Sequence, residues 1–142
     1  MIERFALGSR VEMLGFVQPK DVRDVLVKGH IFLNCSLTES FCISLMEAAS
    51  CGLKVVSTNV GGVPEVLPPD LITLAEPTSS SIVKVLTQVI ETTLTEEAEY
   101  HNDTNKKSSA MTREARQHER VKGLNNWMSV ALMTARVYES LL

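Results

Sequence analysis

Between Val11 and Thr58, short apolar runs alternate with segments of helical period, and few folds accept that alternation. Val11 to Leu14 reads as a strand ended by Gly15. Pro19 reads as the first position of a helix that carries Val22, Val25 and Leu26 and is closed by Gly29. His30 to Asn34 is short, apolar and bounded by turn signals, the pattern of a strand covered on both faces. A mostly apolar helix then runs to about Cys51, Gly52 stops it, and Leu53 to Thr58 forms a third strand. The order strand, helix, strand, helix, strand calls for a parallel α/β sheet, and such sheets bind ligands beyond the carboxyl ends of their strands.

Downstream, Pro64 to Leu67 suits a short helix and Leu71 to Ala75 a fourth apolar strand ended by Glu76-Pro77. Ser80 or Ser81 can cap a helix over Ile82, Val83, Leu86, Val89, Ile90 and Leu94. From Thr92 to Ser109 there is almost nothing to bury, which predicts a solvated connection or insert. Met111 to Val121 is charged and helical in pattern. Trp127, Val130, Met133 or Thr134, Val137 and Leu141 mark an amphipathic closing helix. The expected organisation is an α/β unit over residues 1–94, a polar linker over 95–109 and C-terminal helices over 110–142.

A chain of 142 residues can build a core but is small for a complete enzyme with this pattern, so a fragment is the better description. Its formal charge of −3, with charges scattered, offers no basic face to nucleic acid. No apolar run approaches the roughly 20 residues of a spanning helix. Three cysteines without a Cys-x-x-Cys pair favour reduced thiols, and His30, His101 and His118 follow no metal-ligand spacing, so no metal site is expected.

The chemistry concentrates in Ser36-Leu-Thr-Glu-Ser-Phe-Cys-Ile-Ser-Leu-Met-Glu47. Between Ser40 and Leu53 the only charged side chain is Glu47, and a carboxylate removed from water needs donors, so Glu47 is expected to face a crevice or a partner. A hydroxyl-rich ligand supplies such donors, since an ionised carboxylate only accepts. Other readings stay open. Ser36-Leu-Thr-Glu39 is a formal capping box, Ser44 and Glu47 mimic another, and a structural arginine could satisfy Glu47. The amides of Phe41, Cys42 and Ile43 are expected to open the helix, where an anion or a hydroxyl is favoured. Cys42 itself reads as a packing residue, and Gly61-Gly62 as a turn a ligand can approach closely.

Two glutamates separated by seven residues, then Ala-Ala-Ser-Cys-Gly, Lys54-Val-Val-Ser-Thr and Val60-Gly-Gly-Val-Pro-Glu-Val66, resemble the nucleotide-sugar-binding domain of retaining glycosyltransferases of GT-B architecture. Within that group, His30-Ile-Phe-Leu-Asn-Cys-Ser-Leu-Thr-Glu-Ser-Phe-Cys42 is most similar to the phosphatidylinositol N-acetylglucosaminyltransferase family, which begins glycosylphosphatidylinositol (GPI) anchor synthesis. The resemblance implies a partial Rossmann-like domain and transfer of N-acetylglucosamine from UDP-GlcNAc to phosphatidylinositol, without a cofactor. It implies that Glu39, as catalytic residue, contacts donor-sugar hydroxyls and positions the ring, and that Glu47 accepts from the ribose hydroxyls. Phe41, Cys42 and Ile43 would meet a hydroxyl or diphosphate oxygen, Ser36 and Thr38 the uracil or ribose, and Gly61 and Gly62 would border the donor.

Ser40 and Cys42 stand where many relatives carry glycine. By the same resemblance, phosphatidylinositol would be held by an N-terminal domain without counterpart here, in a membrane-bound multi-subunit complex on the cytosolic face of the endoplasmic reticulum. The residues that neutralise the diphosphate also have no counterpart. Another retaining enzyme of this architecture, or a non-catalytic nucleotide-sugar-binding or regulatory fragment, would keep both glutamates.

Overall fold

The computed structural model describes residues 2–102 and 112–124, and singly Met128, Ala131, Leu132, Arg136 and Glu139. Three strands, β1 (Ile31–Asn34), β2 (Lys54–Thr58) and β3 (Ile72–Ala75), form one parallel sheet in the order β1-β2-β3. The register pairs Ile31 with Lys54 and Val55 with Ile72. Helices α1 (Val22–Leu26), α2 (Ile43–Ser50), α3 (Val63–Val66), α4 (Ser79–Asn102) and α5 (Arg113–Leu124) accompany the sheet. A short 3₁₀ turn, Pro19–Asp21, leads into α1, as the proline predicts.

β2 occupies the middle and is buried from Val55 to Thr58. Successive side chains point to opposite faces. Val55 joins Leu45, Ala48 and Ala49 of α2, Val63 and Val66 of α3, and Val121 of α5 in one apolar cluster. Lys54, of the opposite parity, reaches Glu96 of α4 at 3.0 Å. The two alanines of α2 let its backbone lie close to the sheet, and Leu45, one turn earlier on the same helix, has no solvent exposure.

α2 ends as the sequence anticipates. Gly52 adopts φ +89°, its N–H bonds Ala49 O at 3.0 Å, and Leu53 N–H reaches back to Ala48 O at 3.1 Å, a Schellman closure. A Cβ on Gly52 would lie 2.7 Å from Glu114 Cγ, so the glycine also gives α5 room to cross the helix end. α5 is held by Gln117 Nε2 donating to Leu53 O at 3.0 Å, His118 Nδ1 beside Ser50 Oγ at 2.7 Å, and Arg120 donating to Asp70 at 2.5 Å. Its sequence announces a charged helix but not which face packs.

Two expectations change. Val11 to Leu14 is not a strand: no described strand pairs with it, and Met13 and Phe16 are 76% and 83% exposed. An extended run needs a neighbour to complete its hydrogen bonds, and apolar pattern alone cannot supply one. α4 continues eight residues past Leu94, so the expected linker over 95–109 begins inside a helix. Low apolar content suggests a loop there, yet the helix is anchored by the Lys54–Glu96 pair and its threonines bond carbonyls one turn back, as Thr93 does to Val89 O at 2.7 Å. Ahead of β1, the His30 side chain lies at the surface, its Nε2 3.8 Å from Glu97 in an exposed pair. Trp127, Val130, Met133, Thr134, Val137 and Leu141 lie outside the described residues.

Leu45→Ala should lower unfolding free energy by about 2–5 kcal/mol, read by denaturant titration, because close packing leaves a cavity. A second expectation concerns acid. The hydrogen bond from Arg120 holds the Asp70 carboxyl below its ordinary value. A group depressed in the folded state contributes above the ordinary carboxylate range and loses that contribution as pH falls through the depressed value. Protection factors of α5 amides, taken relative to intrinsic exchange at each pH, should therefore fall slightly on acidification, and Asp70→Asn should remove that pH-dependent part.

Candidate functional site

The carboxyl ends of β1 and β2 release two loops toward each other. Residues 35–42 follow β1, and residues 59–62 follow β2. The polar residues that finish the strands organise this end. Asn34 Nδ2 donates to Ser57 Oγ at 3.0 Å, Ser36 Oγ donates to Asn34 Oδ1 at 2.9 Å, and buried Thr58 donates to the carbonyl of Ser36 at 2.5 Å. No buried side-chain nitrogen or oxygen among the described residues lacks a partner.

Between the loops lies an open cavity of about 510 Å³, lined by Leu37, Thr38, Glu39, Ser40 and Gly61. Glu39 is half-buried there. Its Oε1 accepts from Ser40 N–H at 3.2 Å, and it makes no ion pair among the described residues. A carboxylate with unused acceptor capacity, flanked by two hydroxyls, suits a polyol and disfavours an apolar ligand. Among the described residues, no lysine or arginine lines the cavity.

The other anticipated residues are distributed differently. Glu47 is exposed on α2 and does not line the cavity, contrary to the crevice expected for it. The helix buries Leu45, Ala48 and Ala49, and a residue two positions from both Leu45 and Ala49 falls on the far side. Its charge still acts locally: burial pushes the Cys51 thiol up, Arg23 opposes this, and Glu47 adds to it.

α2 begins at Ile43, with Cys42 as the residue before its first turn, so Ile43 and Ser44 open the helix and the amides of Phe41 and Cys42 precede it. Cys42 is buried in the core, its Sγ 3.1 Å from Ser44 Oγ, as a packing residue should be. Phe41 and Ile43 are exposed. Ser36 is tied to Asn34 and Thr58, while Thr38 stays in the cavity wall.

Gly61 lines the cavity, whereas Gly62 faces the loop backbone, donating from N–H to Glu39 O at 3.1 Å. Sequence reasoning names Ser40 only as a position where many relatives carry glycine, and it misses Leu37, Asn34, Ser57 and Thr58. The available signal is polar residues ending apolar strands. A second cavity of about 350 Å³, lined by Leu53, Lys54, Asp70, Leu71, Arg116, Gln117 and Arg120, lies at the strands' amino ends. There Lys54 pairs with Glu96 and Arg120 with Asp70.

A parallel sheet flanked by helices, with a cavity beyond its carboxyl ends walled by a carboxylate, hydroxyls and glycine backbone, has the layout of a Rossmann-like α/β domain. The chain belongs to the family of glycosyl transferases group 1, whose model matches residues 1–117. It is 47% identical over 137 residues to a phosphatidylinositol N-acetylglucosaminyltransferase subunit of Homo sapiens, covering 96% of this chain and 26% of that protein. The Arabidopsis thaliana protein of the same name is 48% identical over 139 residues, 98% of this chain and 28% of its own. The gpi3 subunit of the Schizosaccharomyces pombe enzyme is 45% identical over 141 residues, 99% and 28% respectively. The chain thus spans 26–28% of the length of these relatives.

Among solved structures, sucrose-phosphate synthase of Thermosynechococcus elongatus matches with TM-score 0.69 at 22% identity, covering 99% of this chain and 32% of that one. Anabaena HepE, solved in complex with UDP, matches with TM-score 0.65 at 24% identity, covering 98% and 35%. These likenesses support the Rossmann-like α/β fold.

Proposed function

We propose that this chain supplies part of the donor-binding domain of an enzyme that transfers N-acetylglucosamine from UDP-GlcNAc to phosphatidylinositol, the first step of GPI anchor biosynthesis. The observation that carries this reading is 45–48% identity, over nearly the whole chain, to proteins named for that transfer in human, plant and fission yeast. The geometry supplies a compatible site. Glu39 stands in the wall of an open cavity with acceptor capacity to spare, the arrangement a sugar's hydroxyls require. Thr38 in the cavity wall and the opening of α2 at Ile43 and Ser44 offer groups that ribose or diphosphate oxygens can meet.

Glu47 is assigned to the ribose hydroxyls, which requires the nucleotide to extend along the exposed flank of α2 past Ile43. HepE, which shares the fold, is solved in complex with UDP, and this supports a uridine nucleotide as ligand. The names of the relatives as subunits support a place in a multi-subunit complex. On this reading, phosphatidylinositol is held by a further domain, and the enzyme works at the cytosolic face of the endoplasmic reticulum membrane.

Neither glutamate needs to act as a general acid or base. A retaining transfer in which the leaving phosphate assists the acceptor needs the donor sugar oriented and charge stabilised, and Glu39 serves orientation. A cavity wall without lysine or arginine among the described residues favours a division of labour, with the diphosphate neutralised by residues outside this chain.

In the full-length protein, Glu39→Gln should lower transfer from UDP-GlcNAc to phosphatidylinositol by about 100-fold or more, the scale of losing one oriented polar contact. Glu47→Ala should chiefly raise the KM for UDP-GlcNAc. Unchanged rates and KM in both variants would remove the site assignment. The 142-residue chain by itself should show no turnover and at most weak UDP binding by calorimetry.

A further inference from the structure

We propose that Thr58, Gly61 and Gly62 form a clamp, built from the end of β2 and the turn after it, that fixes Glu39 in the cavity wall. The inference rests on the donor-site reading above and assigns the glycines a task beyond bordering a ligand.

The loop that carries Glu39 is gripped at two points. Thr58, with no solvent exposure, donates its hydroxyl to the Ser36 carbonyl, and Gly62 donates its N–H to the Glu39 carbonyl at 3.1 Å. Between those points the two segments touch backbone to backbone. A Cβ on Gly61 would sit 1.9 Å from Glu39 O, and one on Gly62 would sit 2.0 Å from Ser40 O. Gly61 also holds φ +50°, a conformation that glycine adopts without strain.

Real Cβ contacts stay beyond 3.0 Å, so any side chain here must drive the Glu39 loop outward by roughly 1 Å. The obstructing atoms are main-chain carbonyls, which cannot rotate away as a side-chain tip would. The Asn34–Ser57 and Ser36–Asn34 hydrogen bonds stiffen the same junction from the side of β1. Thr58 and the two glycines therefore act through Glu39 as positioning residues. A displacement of this size in an orienting group costs on the order of 100-fold in rate.

The test uses the full-length protein, assayed for transfer from UDP-GlcNAc to phosphatidylinositol, with the melting temperature followed in parallel. Thr58→Val keeps nearly the same shape but removes the donor, and Thr58→Ser restores it. Gly62→Ala introduces the clash. We expect Thr58→Val and Gly62→Ala to lower kcat about 10- to 100-fold, with Thr58→Ser within about 3-fold of the parent. In a Glu39→Gln background each should cost less than about a further 3-fold, because residues acting as one unit are not additive.

Thr58→Val with normal kcat, or full multiplicative losses in the Glu39→Gln background, would overturn the clamp while leaving the donor site standing. Unimpaired transfer by Glu39→Gln alone would instead remove Glu39 from the donor site and, with it, the clamp. Thr58→Val is near-isosteric, so the comparison with Thr58→Ser decides the matter even if Gly62→Ala fails to fold.

Discussion

β2 has no side that faces water. Its backbone is paired with β1 on one edge and β3 on the other, and its side chains meet the α2–α3–α5 cluster on one face and α4 on the other. A parallel strand in that position must be apolar through its middle and must settle its polar groups at its two ends, where the helical layers stop. Ser57 and Thr58 make that transition within two residues, and both remain buried because the end of β1 and the loop after it supply their partners. The same loop carries Glu39. Satisfying the end of the central strand and placing the carboxylate in the cavity wall are thus one structural event.

The helices divide the remaining work. α2 gives close approach through Ala48 and Ala49 and commits Glu47 to the opposite flank. α5 crosses the end of α2 over Gly52, held by Gln117, His118 and Arg120, whose polar contacts matter because its apolar contribution centres on Val121. Charge is arranged unevenly: cations gather at the amino ends of the strands, where each of Lys54 and Arg120 has an acidic partner, and none among the described residues lines the cavity at the carboxyl ends. That asymmetry leaves the cavity's wall acidic and hydroxylated while the paired cations sit at the other end of the sheet.

Much of the sheet is legible in the sequence because its signals are local. Apolar runs locate β1, β2 and β3 to within a residue or two, and Gly52 marks the end of α2 by the backbone angle only glycine adopts cheaply. Val11 to Leu14 carries the same apolar pattern yet forms no strand, since pairing is a property of two segments and the sequence of one cannot supply the second. The exposure of Glu47 is hidden for a related reason. Counting apolar residues around a helix shows how much can be buried, but which face turns inward depends on what packs there, and the small Ala48 and Ala49 decide it. Glu39 is readable as a candidate through its motif. The contacts that hold it are not, because they join residues 22 or more positions apart through main-chain atoms that carry no sequence signature.

Among the described residues, the outer edge of β1 is left with open backbone groups, and the apolar side chains of Val11, Met13, Leu14 and Phe16 stand uncovered nearby in sequence. An unprotected strand margin together with loose greasy residues is the usual recipe for self-association, since another chain can add itself as the next strand. Produced on its own, this polypeptide would have poor colloidal behaviour.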